Sequence, residues 1–161
     1  MTDIEIQKLQ EVSDAEWCAR IMTGSEPWVT LGRGYEESLQ IVTDSSKEVY
    51  ISTVKAEPAG FMILNMKGAF VGYIQTICIA PEFRGKGIGS RLLEFAENRI
   101  FSESPNVFLC VSSFNGGARR LYERAGYETI GELKDFLVRG LSEILMRKSL
   151  GPLKEYKQNR D

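Results

Sequence analysis

"IAPEFRGKGIGSRLLEFAENRI", residues 79–100, is the stretch on which the fold turns. It opens as the end of an apolar run and breaks at Pro81. It then places Gly85, Gly87 and Gly89 at alternate positions, with the cations Arg84 and Lys86 among them. From there Ile88, Leu92, Leu93, Phe95, Ala96 and Ile100 recur at helical spacing, while Arg91, Glu94, Glu97 and Asn98 fall on the opposite side. The order is strand, glycine loop, helix. A helix N-terminus presents unpaired N–H groups and partial positive charge. Glycines let the main chain approach a ligand closely and adopt positive φ. With two full charges added, the loop is an anion site suited to a phosphate or pyrophosphate. The GxxxxGK[ST] pattern of nucleotide-hydrolysing loops is absent. The glycines run GxGxG, not GxGxxG, so a dinucleotide fold is disfavoured as well. A plain connector would need neither the cations nor the helix directly after it.

Upstream, "VGYIQTICIA" is apolar on both faces, with Val71, Tyr73, Ile77 and Ile79 on one and Ile74, Cys78 and Ala80 on the other. This predicts a strand buried on both sides within a helix-covered sheet. Residues 4–9 alternate as a strand. Ser13 with Glu16 has the form of a capping box opening a helix that stops near Gly24. A glycine-punctuated loop carrying Trp28 follows, then a short helix from Tyr35 to Ile41. "EVYISTVK" and "GFMILNM" read as strands joined by "AEPAG". Downstream, "VFLCV" is a strand. "NGGARRLYERAG" is a compact helix with Asn115 as N-cap, one face formed by Ala118, Leu121, Tyr122 and Ala125, and Gly126 as its stop. "YETIGEL" and "SEILMRKSL" close the sheet. The expected order is β-α-α-β-β-β-α-β-α-β-β, an α+β fold in one domain over residues 1–148, followed by a polar tail at 149–161 that lacks periodicity.

Composition narrows the classes. The chain has 161 residues, enough for one real core. Its formal net charge of −2 leaves no basic field for nucleic acid, and positive charge is gathered in local clusters such as "RGKG" and "ARRLYER". There is no histidine, which removes histidine triads and histidine-ligated metals. Cys18, Cys78 and Cys110 are too dispersed for a structural zinc, so no metal is expected. The N-terminus "MTDIEIQKLQ" has the form of neither a signal nor a transit peptide, and no apolar run approaches the ~18 residues that span a bilayer. A reduced, cytoplasmic protein without membrane association is the expectation, with a homodimer left open.

Arg84-x-x-Gly87-x-Gly89 after "ICIAP" resembles the Gln/Arg-x-x-Gly-x-Gly/Ala motif of the GNAT superfamily of N-acetyltransferases. "NGGARRLYERAGYETIG" resembles that family's second landmark, an Asn followed by A-x-x-L-Y-x-x-x-G-[FY]. The two motifs stand in the family's order and at its separation, and the resemblance covers roughly residues 48–148. It implies a GNAT-type, mostly antiparallel mixed sheet flanked by helices, with a splayed pair of parallel strands at 71–80 and 106–111. It further implies that acetyl-coenzyme A is the acetyl donor. The backbone of Gly85, Lys86, Gly87, Ile88, Gly89 and Ser90 would take the pyrophosphate beside Arg84. The main chain of Ile77, Cys78 and Ile79 would pair with the pantetheine arm, which has the shape and amides of a surrogate strand. Asn115 matches a position that touches that arm, and is equally a plain helix cap.

Tyr122 matches the family's general acid, which protonates the departing thiolate. A phenol near pKa 10 suits that step. On the residues alone it is a core aromatic on the face shared with Ala118 and Ala125. The proton acceptor is not evident. Relatives of the ribosomal-protein N-terminal acetyltransferase branch carry a glutamate on the strand where this chain reads "LCVSS", with Cys110 in its place. Gln75 and Thr76 are not bases at neutral pH, which leaves water leading to a more distant acid such as Glu26 or Glu37, or the backbone. Cys78 and Cys110, in apolar strands with nothing to lower their pKa, read as inert core thiols, not acetyl carriers. The resemblance thus implies an N-acetyltransferase acting on a primary amine, either a small molecule or a protein N-terminus, by direct attack in a ternary complex. The alternative is a catalytically silent acyl-coenzyme A-binding regulatory module.

Overall fold

The computed structural model describes residues 3–158. Its elements are β1 (Ile4–Lys8), α1 (Val12–Thr23), α2 (Tyr35–Val42), β2 (Glu48–Val54), β3 (Glu57–Asn65) and β4 (Tyr73–Ile79). After a 3₁₀ turn at Pro81–Phe83 come α3 (Ile88–Phe101), β5 (Asn106–Ser112), α4 (Gly116–Arg124), β6 (Glu128–Lys134), β7 (Ser142–Ser149) and α5 (Leu153–Gln158). The strands form one sheet in the order β1-β2-β3-β4-β5-β7-β6. The assigned ladders are antiparallel except between β4 and β5, where Tyr73 lies opposite Phe108 and Ile74 opposite Leu109 in parallel. This is the mixed, mostly antiparallel sheet with a parallel pair that the sequence predicts.

The chain divides into two compact units, one of residues 1–64 and 75–95, the other of 65–74 and 96–161. In the first, α1 and α2 lie over the sheet with a core that includes Cys18, Met22, Trp28, Phe61, Ile63 and Cys78. On the opposite face of β2, the Tyr50 ring packs 4.9 Å from that of Phe95 in α3. The β2–β3 turn is tighter than predicted. Only Lys55 and Ala56 make it, both at positive φ, and Glu57 to Gly60 already belong to β3. A register shift between Ser52 and Thr53 lets Pro58 sit in the strand, where it lacks an N–H to donate. The expected capping box does not form either. Helix α1 starts one residue before Ser13, with Glu11 as N-cap and no side-chain bond to its first turn.

In the second unit the apolar alternation of β5 and β7 buries Val107, Leu109, Val111, Ile144 and Met146 on one face. Gly72 leads into β4 at φ +90, and its carbonyl accepts from Phe108 N at 2.9 Å. A Cβ there would lie 2.6 Å from the Asn106 carbonyl and collide with Ile100. Only glycine permits that approach. The prediction that β4 is buried on both faces does not hold. Ile74, Thr76, Cys78 and Ala80 are buried, but Tyr73, Gln75, Ile77 and Ile79 are half-covered. The polar tail, whose sequence shows no periodicity, carries α5. Its residues 159–161, like Met1 and Thr2, lie outside the described residues.

Candidate active site

The glycine loop belongs to the first unit. Gly85 and Gly87 take φ +73 and +82, and a Cβ built on either meets no atom within 4 Å. Main chain is therefore exposed to open space on a curve that ends in the first turn of α3. The Arg91 N–H bonds back to the Gly87 carbonyl at 3.2 Å, and buried Ile88 anchors the helix start. The N–H groups at the head of α3 precede any helical carbonyl that could accept from them. Lys86 projects from the loop, with its Nζ 5.4 Å from the centre of the Phe83 ring. The chemistry of these residues suits a pyrophosphate: one loop carries approachable amides, a helix N-terminus and a cation.

Arg84 works inward. Its Nε donates to the Ile79 carbonyl and its Nη2 to Ser25 Oγ, both at 3.2 Å, and Ser25 in turn donates to the Ile21 carbonyl at 2.6 Å. The guanidinium thus closes the loop onto the end of β4 and onto Ser25, two residues past the end of α1. Alternation along β4 sends the Ala80 N–H to the Ala59 carbonyl of β3, at 2.8 Å, and points the amide groups of Ile79 to the opposite edge. Burial pushes the Cys78 thiol up to about 12, opposed by its hydrogen bond with Ser25 and by the Arg84 charge. Cys18 is raised still further by burial and by the neighbouring Cys78. Both thiols stay protonated and unreactive at neutral pH.

In the second unit, Asn115 caps α4 by accepting from Ala118 N at 3.3 Å, as its sequence position predicts. Seven residues on, Tyr122 lies on the covered face of α4, and burial pushes its phenol up to about 12. Its ring meets Tyr127 edge-on at 5.9 Å. The Tyr127 hydroxyl donates to Glu97 Oε1 and Lys148 Nζ donates to Glu97 Oε2, both at 3.1 Å.

A polar cluster that sequence reasoning missed lies beside Tyr122. Tyr73 and Cys110 are side-chain hydrogen-bond partners, and the Tyr73 phenol is raised by burial first, then by Cys110, Glu143 and Tyr122 nearby. Cys110 is raised by burial and by Glu143, against the lowering effect of the Tyr73 bond. Glu143 itself is only 8% exposed. The strand register explains the meeting. Phe108 pairs with Tyr73 and Ser112 with Glu143, so Tyr73, Cys110, Ser112 and Glu143 share one sheet face. The available signal was a single acid inside the apolar strand "SEILM". Glu26 and Glu37, named from the sequence as examples of a distant acid, have partners of their own: Glu26 accepts from Thr30 Oγ1 at 2.6 Å and Glu37 pairs with Arg33 at 3.6 Å.

Residues 9–127 match the model of the acetyltransferase (GNAT) family. The chain belongs to that family. It is 27% identical over 148 residues to the N-alpha-acetyltransferase RimI of Mycobacterium tuberculosis, covering 86% of this chain and 89% of that one. Other curated relatives are longer, and this chain spans 38% and 51% of two of them. Among solved structures it superposes with a TM-score of 0.74 on the ribosomal-protein-S18-alanine N-acetyltransferase of Escherichia coli, at 17% identity over 92% of this chain and 95% of that one. It also superposes, at 0.72, on the spermidine N-acetyltransferase of Vibrio cholerae in complex with coenzyme A and spermine, at 20% identity over 96% and 98%. The two stretches that resemble the family's motifs each fall at a helix. The glycine loop heads α3, and the Asn-to-Tyr motif forms α4.

Proposed function

We propose that this GNAT protein transfers an acetyl group from acetyl-coenzyme A to a primary amine by direct attack in a ternary complex. The observation that carries the proposal is the glycine loop, where two positive-φ glycines open main chain to solvent at the head of α3. Amides of Gly85 to Ser90 and the Lys86 ammonium take the cofactor pyrophosphate, while Arg84 fixes the loop's shape from behind. The Ile77–Ile79 backbone receives the pantetheine arm, and the outward-facing Ile79 N–H polarises the thioester carbonyl. Asn115 combines its capping role with a contact to the arm. Tyr122, protonated at every physiological pH, hands its phenolic hydrogen to the coenzyme A sulfur as the carbon–sulfur bond breaks. The whole of residues 1–148 acts as one catalytic domain working in the cytoplasm.

Support for a protein or polyamine acceptor comes from the relatives, one named for an α-amino group and one solved with spermine. One observation favours a silent acyl-coenzyme A-binding module instead: Cys110 occupies the strand position where a base would stand in the ribosomal-protein branch. Incubation with acetyl-coenzyme A and a panel of amines, following release of free thiol, separates the two. Thiol release that depends on the amine is the expected result. Tight binding of coenzyme A without release for any amine would leave only the silent module.

A further inference from the structure

A guanidinium can only donate hydrogen bonds and a carbonyl can only accept them, so a side chain that joins the two must do both. Ser25 is such a side chain. We infer that Ser25 is a positioning residue for coenzyme A, acting through Arg84, and that this contact couples the glycine loop to residues 26–33. The inference rests on the function proposed above, which puts the coenzyme A pyrophosphate at the loop. It adds a residue 59 positions earlier in the chain that sets the loop's shape.

Three observations carry it. First, the bonds around Ser25 have fixed directions. Its hydroxyl donates to the Ile21 carbonyl, in the last turn of α1, at 2.6 Å, which leaves its lone pairs to accept from Arg84 Nη2 at 3.2 Å. The residue is buried, and the Cys78 thiol is a further hydrogen-bond partner. Second, Arg84 uses two points of its fork. While Nη2 holds Ser25, Nε holds the carbonyl of Ile79, the last residue of β4, at 3.2 Å. The Arg84 N–H donates to the Pro81 carbonyl at 3.3 Å. The residue before Gly85 is therefore tied through both side chain and main chain, and the positive-φ glycines start from a fixed point. Third, Ser25 is the root of the turns that follow it. The Val29 N–H donates to the Ser25 carbonyl at 3.1 Å, Leu31 N–H to Pro27 and Arg33 N–H to Trp28, both at 3.0 Å. Trp28 lies in the core cluster that also holds Cys18, Met22 and Cys78.

A lysine at position 84 would offer a phosphate the same charge. Only the planar fork of an arginine reaches two acceptors at once. With the fork engaged, the amides of Gly85 to Ser90 are held near the shape that receives a pyrophosphate, so less order has to be imposed on binding. A bound pyrophosphate in turn steadies the loop against Arg84, and Arg84 steadies Ser25 between Ile21 and Val29. Openings of residues 26–33 that begin with the release of Ser25 then become rarer. The coupling is reciprocal: the factor by which the Ser25 contact strengthens coenzyme A binding is the factor by which coenzyme A strengthens that contact.

The test is a double-mutant cycle on coenzyme A affinity, read by calorimetric titration of the wild type, Ser25→Ala, Arg84→Lys and the double variant. Each single variant should bind about tenfold more weakly. The double variant should bind no more weakly than either alone, because both changes remove the same contact. Hydrogen exchange gives the second readout. Coenzyme A should slow exchange at residues 26–33 in the wild type and leave it unchanged in the variants, an effect that a merely structural serine would not produce. Should Ser25→Ala fail to fold, Arg84→Lys keeps the charge at an exposed position and must alone show both the weaker binding and the lost protection. Losses that multiply in the double variant, wild-type affinity in either single variant, or exchange at 26–33 that ignores coenzyme A in the wild type would each overturn the inference and leave the glycine loop as the cofactor site. A wild type that does not bind coenzyme A removes the proposed function and this inference together.

Discussion

Substituting alanine at two of the positive-φ glycines should separate binding from folding. Gly87 and Gly72 both need a left-handed backbone, at φ +82 and +90, so alanine carries a conformational cost of about 1–2 kcal/mol at either. At Gly87 that is the whole cost, because a methyl group there meets nothing within 4 Å. At Gly72 the methyl group would drive into Ile100 and to 2.6 Å from the Asn106 carbonyl, a backbone atom of the neighbouring strand that cannot move aside. Overpacking of that kind adds roughly 1–3 kcal/mol. For a chain of this size each kcal/mol lowers Tm by about 2–4 °C. Gly87→Ala should therefore lose only a few degrees, and Gly72→Ala on the order of ten. Coenzyme A affinity should order the variants the other way. The Gly87 methyl group stands where the pyrophosphate must approach, and we expect at least a tenfold weaker Kd, whereas folded Gly72→Ala retains its affinity. Thermal unfolding by circular dichroism and calorimetric titration with coenzyme A read both quantities on the same preparations. Wild-type affinity in Gly87→Ala would refute the loop assignment, and a wild-type Tm in Gly72→Ala would refute the packing argument.

Three further outcomes are expected. Tyr122→Phe keeps the ring against Tyr127 and should change stability by about 1 kcal/mol at most. Its kcat should nevertheless drop roughly 10²-fold with little change in KM for acetyl-coenzyme A, and a near wild-type kcat would end the general-acid role. The phenols of Tyr73, Tyr122 and Tyr127 all titrate higher in the folded chain than their ordinary value of about 10. Folding thus favours their neutral forms, so stability should be whole below about pH 10 and decline as pH climbs above it. The midpoint of urea unfolding followed across that range would show this, and Tyr122→Phe should soften the decline. Cys18 and Cys78 should resist iodoacetamide near about pH 8 until the protein is denatured, and prompt labelling of either in the folded state would contradict their burial.

The glycine loop and both helices that follow family landmarks were legible because each carries its own local punctuation. Pro81, the alternating glycines, Asn115 and Gly126 act within a few residues of where they stand. What escaped was set by strands far apart in the chain. Glu143 looked like an ordinary acid in a closing strand, and its place in the polar cluster depends on β7 pairing with β5 in the register that brings it opposite Ser112. Arg84 read as a charge for the phosphates, and only the fold shows it turned back to Ser25, 59 residues earlier. The capping box at Ser13 failed for a more local reason: α1 begins two residues sooner than that cap would have it, which carries Ser13 inside the helix. The two-residue turn at Lys55–Ala56 was hidden by neighbours rich in turn formers, Pro58 and Gly60, that β3 absorbs through its register shift.

Glu97 links three parts of the second unit through one carboxylate, with Tyr127 on one oxygen and Lys148 on the other. Over evolutionary time such a junction restricts which changes can be made singly. Replacing Glu97 with an apolar residue strands a half-buried ammonium and a buried hydroxyl together, each of which then bears its own desolvation penalty. Replacing Tyr127 or Lys148 alone strands half of the carboxylate. Positions 97, 127 and 148 are therefore expected to vary in concert among descendants of this sequence, either keeping acid, phenol and amine together or surrendering all three to hydrocarbon.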